Sequence, residues 1–176
     1  MCMIGCGWKV TPLSRPEIPL TPKLIAERVI LQINDVGLIW GGDLLGEIVR
    51  DILIEEDTFQ DVYYPIEPLN PPSLKLIITA TGKVDEEVVI GTVKAIIIGM
   101  LFFIPVGIIR FNKDFDLDAE IVLLKGSKKL QEFQVNTSTT ISHTMFSNTT
   151  AYEEEARRIA FKNLGQQIVA SLRPTT

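Results

Sequence analysis

Residues 114–124 read DFDLDAEIVLL. Phe115, Leu117, Ala119, Ile121 and Leu123 take every second position, and Asp114, Asp116, Asp118 and Glu120 fill the places between. Side chains of an extended chain alternate between faces, so the pattern predicts a half-buried antiparallel strand, dry on one side and acidic on the other. KGSKK at 125–129 suits a hairpin turn, and LQEFQVNTSTTIS at 130–142 keeps Phe133, Val135 and Ile141 in phase as the returning strand. A sheet with one apolar face needs a layer to cover it, and the rest of the chain must supply that layer.

Two segments have the spacing to do so. In LLGEIVRDILIEED, Leu45, Ile48, Val49, Ile52 and Leu53 recur at helical intervals, with Asp43 placed to cap the start. Near the end, Ala156, Ile159, Ala160, Leu164, Ile168 and Leu172 line a second helix. It opens on Thr150–Glu153 as a capping box and stops before Pro174. AERVILQIND, TFQDVYYP and SLKLIITATGKV read as three more strands, with Val29, Leu31 and Ile33, then Leu74, Leu76 and Ile78, on one face each. The expected fold is α+β: a mainly antiparallel sheet of about four to five strands with two helices on one face, plus an apolar inserted hairpin. Residues 1–25, with Pro12, Pro16, Pro19 and Pro22, read as a tether, and 26–176 as a single domain.

The chain carries a net charge of −5 and has a pI near 5.0, which argues against a nucleic-acid binder. Its mean hydropathy, +0.23, is high for a soluble domain and has a local source. From Val88 to Phe111 only Lys94 and Arg110 are charged. One transmembrane span at about 88–111 is an alternative, although the uncharged run 95–109 is short for it and holds Gly99, Pro105 and Gly107. A buried core segment is a second alternative. The preferred reading is a hairpin, or a pair of short helices, that leaves and re-enters the sheet on one side. Met100, Leu101, Phe102, Phe103, Ile104, Pro105 and Val106 then touch a lipid interface or a partner, with Lys94 and Arg110 at head-group level.

The opening MCMIGCGW holds both cysteines of the chain, Cys2 and Cys6. Met3, Ile4, Gly5 and Cys6 match the end of a bacterial lipoprotein signal, in which the cysteine thiol takes a diacylglyceryl group and becomes the first residue of the mature chain. Five residues cannot supply the charged start and the apolar run of about 7–15 residues that such a signal needs; a start upstream of Met1 is the expectation, and an accidental match on an ordinary N-terminus the alternative. Cys6 is the expected lipidation site, and Gly7 permits export to the outer membrane.

Catalytic chemistry has little to stand on. His143 is the only histidine, and the adjacent Ser142 faces the other way on an extended chain. The acidic positions 114–120 form a row rather than a cage for a cation, and read as a solvated face that guards a sheet edge. No enzyme, metal or cofactor is expected.

The layout resembles the TolB amino-terminal-domain-like fold of small bacterial envelope lipoproteins. The likeness covers about residues 26–172 and rests on ERVILQIND, LLGEIVRDIL, TFQDVYYP, LKLIITATGKV, the hairpin LDAEIVLLKGSKKLQEFQV and the closing helix EEEARRIAFKNLGQQIVASL. It implies a membrane-anchored, non-enzymatic binding or assembly module on the periplasmic side of the cell outer membrane. The implied partners are membrane lipid, envelope proteins and, as one option, a second copy of the chain. One relative of that architecture, the lipoprotein pore of curli secretion, forms a barrel from alternating hairpins. AIIIGMLFFIPVGII does not alternate, so a pore is not expected here.

Overall fold

The computed structural model describes residues 9–12, 25–36, 42–86, 110–144 and 149–172. Their elements run β1 (Lys9–Pro12), β2 (Ile25–Asp35), α1 (Gly42–Glu55), β3 (Phe59–Tyr63), β4 (Leu74–Glu86), β5 (Arg110–Lys125), β6 (Lys128–Thr144) and α2 (Thr149–Leu172). The strands form one sheet in the order β1-β6-β5-β4-β2-β3. The pairs β1–β6, β6–β5 and β5–β4 are antiparallel, whereas β2 runs parallel to both β4 and β3. The fold is therefore α+β as expected, with six strands rather than four to five and a parallel corner where α1 links β2 to β3.

Period-2 patterning decides which face is dry. Leu76 and Ile78 of β4, Leu117 and Ile121 of β5 and Ile141 of β6 are all buried. Cross-strand register places Leu76 opposite Leu123, Ile78 opposite Ile121 and Ala119 opposite Val135, so the apolar positions line up across the sheet. Both helices cover this face: α1 lies over β2 and β3, α2 over β6 and β5, and the two helices meet each other.

Of the positions expected to line the helices, Leu45, Val49, Ile52, Leu53, Ala156, Ala160, Leu164, Ile168 and Leu172 are buried. Ile48 is only half-buried, as is Ile159. Phe161 and Val169, absent from the expected stripe, are fully buried, because α2 presses on the sheet and on α1 at once and so hides more than one face. Gly165 lies against Ile52 of α1, where an added Cβ would meet the isoleucine side chain at 2.6 Å.

α1 ends in a Schellman motif: the Thr58 amide donates to the Leu53 carbonyl and the Asp57 amide to the Ile54 carbonyl, with Asp57 at a φ of 50°. Asp43 lies inside the first turn of α1 rather than at the cap position expected for it. Thr150 likewise falls within α2, and Glu153 pairs with Lys113 of β5, so its carboxylate serves the tertiary structure rather than a capping box.

Two further expectations change. Lys9–Pro12, read as tether, pair with β6 as a sheet strand, Lys9 against Ser142 and Pro12 against Thr139. Proline density alone could not reveal that strand, since one edge pairing needs only a few backbone donors. The acidic row of β5 does not guard an edge, because β5 is flanked by β6 and β4 on its two sides.

Candidate membrane-contact end of the sheet

β4 and β5 are paired without interruption from Leu74↔Lys125 to Glu86↔Lys113. The connecting segment 87–109, uncharged from Val88 onward except for Lys94, therefore departs from the last residue of one strand and returns to the first of its hydrogen-bonded neighbour. Paired strands lie about 5 Å apart, and Arg110 is three residues from Lys113, so Glu86 and Arg110 sit within roughly 15 Å of each other. A single crossing of a bilayer needs about 30 Å between its ends. The alternative of one span at about 88–111 fails on this geometry, and Arg110 and Phe111 moreover belong to β5. Among the described residues, no helix is long and apolar enough to cross a membrane.

The same end of the sheet extends past its neighbours. β2 stays paired with β4 only as far as Asp35↔Ala80, while β4, β5 and β6 continue to Glu86, Arg110 and Thr144. Two side-chain contacts brace this projection. Lys113 Nζ meets Glu153 Oε1 at 2.9 Å, with the lysine side chain only 15% exposed. That contact fastens the start of α2 to β5, and the Lys113 ammonium also sits 5.8 Å from the centre of the Phe115 ring. Ser142 Oγ donates to Asn112 Oδ1 at 2.6 Å, across β6 and β5.

The chain's amino-terminal strand joins this end as well. Lys9 pairs with Ser142, and Asn112 pairs with Ser142 from the other side. Cys6 stands three residues before Lys9 in the chain.

Cys6, Lys94 and Met100 to Val106 lie outside the described residues. Arg110 opens β5, its backbone paired with Thr144. His143 is a β6 residue whose register partner is Phe111, and among the described residues no group of three His, Cys, Asp or Glu side chains could hold a metal ion.

Sequence reasoning missed a second feature. The sheet face away from the helices carries a shallow groove of about 310 Å³, lined by Thr79, Thr81, Asp118, Glu120, Gln134 and Asn136 together with the backbone of β5 and β6. Register sets Asn34, Thr79, Glu120 and Gln134 side by side across four strands. Toward the hairpin, Lys129 donates to Glu132 and holds that carboxyl below the usual carboxylate range, with a further contribution from a hydrogen bond to Glu120. Each strand's polar positions were legible in the sequence, but their assembly into one groove depends on strand order, which only the fold supplies.

No protein-family model matches the sequence, and no curated protein matches it. Solved structures do. The chain is similar to a minor lipoprotein of Acinetobacter baumannii, with a TM-score of 0.50 and 11% identity over 82% of this chain and 91% of that one. It is equally similar to a hypothetical protein of Chlamydia trachomatis, with a TM-score of 0.50 and 10% identity over 85% of this chain and 95% of that one. Sequence identities this low establish architecture only: the chain has the α+β fold of these two bacterial proteins.

Proposed function

We propose that this protein is a lipid-anchored component of a bacterial cell envelope, attached through Cys6, that acts by binding or assembly rather than by catalysis. The observation that carries the reading is the β4–β5 register, which brings both ends of the apolar segment 87–109 to one end of the sheet. Such a segment can rest Met100 to Val106 in a lipid interface without crossing it, with Lys94 and Arg110 near the head groups. The fold match to a protein described as a minor lipoprotein supports the anchor. Two acyl chains on one cysteine hold a domain on a membrane stably where one chain would not. Gly7 after the cysteine permits export to the periplasmic side of the outer membrane.

The test is expression behind a complete lipoprotein signal, followed by mass measurement of the amino-terminal peptide and fractionation of the membranes. The expected result is a diacylglyceryl mass on Cys6, with the chain in the outer-membrane fraction, and release to the periplasm when the lipoprotein signal and Cys6 are replaced by an ordinary cleavable export signal followed by Gly7. An unmodified Cys6, or a chain that stays with the membrane undiminished after that replacement, would overturn the anchor. Phe102→Asp with Phe103→Asp separates the role of the insert: weaker vesicle binding with unchanged thermal unfolding supports an interfacial contact, and global unfolding places the segment in the core.

A further inference from the structure

Resting on the lipid-anchor reading, we infer a fixed pose for the domain: the projecting end of β4, β5 and β6 faces the lipid surface, and the β5–β6 hairpin end points away from it. Two independent attachments lead to this end. Lys9, three residues from Cys6, pairs with Ser142 two residues before β6 stops. The apolar segment 87–109 is joined to Glu86 and Arg110, beside the same rungs of the sheet. An anchor at one end and an apolar contact at the other would leave the orientation open, whereas two attachments within one strand neighbourhood remove that freedom.

The body of the domain then stands along the membrane normal. From Asn112 to Lys125, β5 rises about 44 Å at roughly 3.4 Å per residue. α2 runs the same way, tied to β5 by Lys113–Glu153 at its start and to β6 by Gln131 Nε2 donating to the Ser171 carbonyl, 2.9 Å, near its finish. With 24 residues it spans about 36 Å, so it braces most of that height. The distal tip carries Lys125, Lys128 and Lys129 and is the surface most open to envelope partners. Three lysines held about 40 Å from the bilayer lie several Debye lengths beyond the reach of its surface charge.

The sequence makes the experiment simple, since no cysteine lies beyond residue 6. In the acylated chain, which begins at Cys6, one added cysteine is the only free thiol. A fluorophore is placed at Asn112→Cys or at Lys128→Cys, with Asp116→Cys and Ser127→Cys as a second pair. Each protein is bound to phosphatidylethanolamine–phosphatidylglycerol vesicles that carry a contact quencher on the head groups. The expected result is loss of most fluorescence at position 112, partial loss at 116 and none at 127 and 128. Equal quenching at the two ends, or stronger quenching at 127 and 128, overturns the pose while leaving the anchor standing. Failure of the acylated chain to sediment with vesicles overturns the anchor reading, and the pose with it.

Discussion

The sheet's two ends solve the same connection problem in opposite ways. β5 joins β6 through Gly126 and Ser127, a turn in which Gly126 adopts a φ of 60° and its amide donates to the Ser73 carbonyl. β4 joins β5 through residues 87–109, although those strands are equally antiparallel and equally adjacent. Antiparallel neighbours need only two residues between them, so the longer connection is not there to close the sheet. Its uncharged run 95–109, between Lys94 and Arg110, is what the proposed lipid contact rests on. The ends differ in bracing too. Lys113–Glu153 at the long-connection end is half-buried, whereas Lys125–Glu27 at the hairpin end is exposed, with side chains 48% and 44% accessible.

The largest expected effect strikes the element both ends share. Leu117 is fully buried at the middle of β5, and Leu117→Ala should cost about 2–5 kcal/mol in denaturant unfolding and loosen both ends together. Next comes removal of the contrast itself. Replacing residues 87–112 by Asn-Gly, so that Glu86 turns directly to Lys113, makes the two connections alike. Shortening the loop returns about 0.6 kcal/mol per halving, about 2 kcal/mol in all. Losing the Asn112–Ser142 hydrogen bond and the last β5–β6 rungs offsets this, so the unfolding midpoint should stay near its original value while vesicle contact is lost. A marked drop in the unfolding midpoint would instead show that the segment helps to build the core.

Gly126→Ala probes the short connection. Open space surrounds the position, so the cost is the left-handed backbone alone, about 1 kcal/mol in thermal unfolding. The ion pairs sharpen the comparison further: Glu153→Gln should destabilise by about 1 kcal/mol, and Glu27→Gln by no more than about 0.5, measured side by side. The smallest effect is a titration. Lys129 holds the Glu132 carboxyl below its ordinary range, so this pair's contribution is complete above the unfolded carboxylate pKa and fades as pH falls through the lowered one. Lys129→Ala should return the Glu132 midpoint upward, read by carboxyl NMR; an unmoved midpoint would assign the depression to Glu120 instead.

Much of this architecture was legible residue by residue. The alternation in 114–124, the lysine-rich turn and the apolar stripe at 45, 49, 52 and 53 each report a local geometry, because side-chain period follows backbone conformation. Lys9–Pro12 lay hidden because four residues carry too little pattern to distinguish a strand from a tether. Phe161 and Val169 escaped because a helix packed on two neighbours buries more than the single stripe expected of it.

Local pattern in the chain sets which side chains seek the dry face, where the backbone turns back at 125–128, and that one long apolar segment lies between two strands. Folding adds the rest: these two strands are hydrogen-bonded neighbours, β5 is interior to the sheet, β2 runs parallel to β4, and the amino-terminal strand reaches the end from which the apolar segment departs. The reason is physical. Side-chain alternation is set by each strand's own dihedrals, whereas strand order is settled by which distant segments can bury their apolar faces together under two helices.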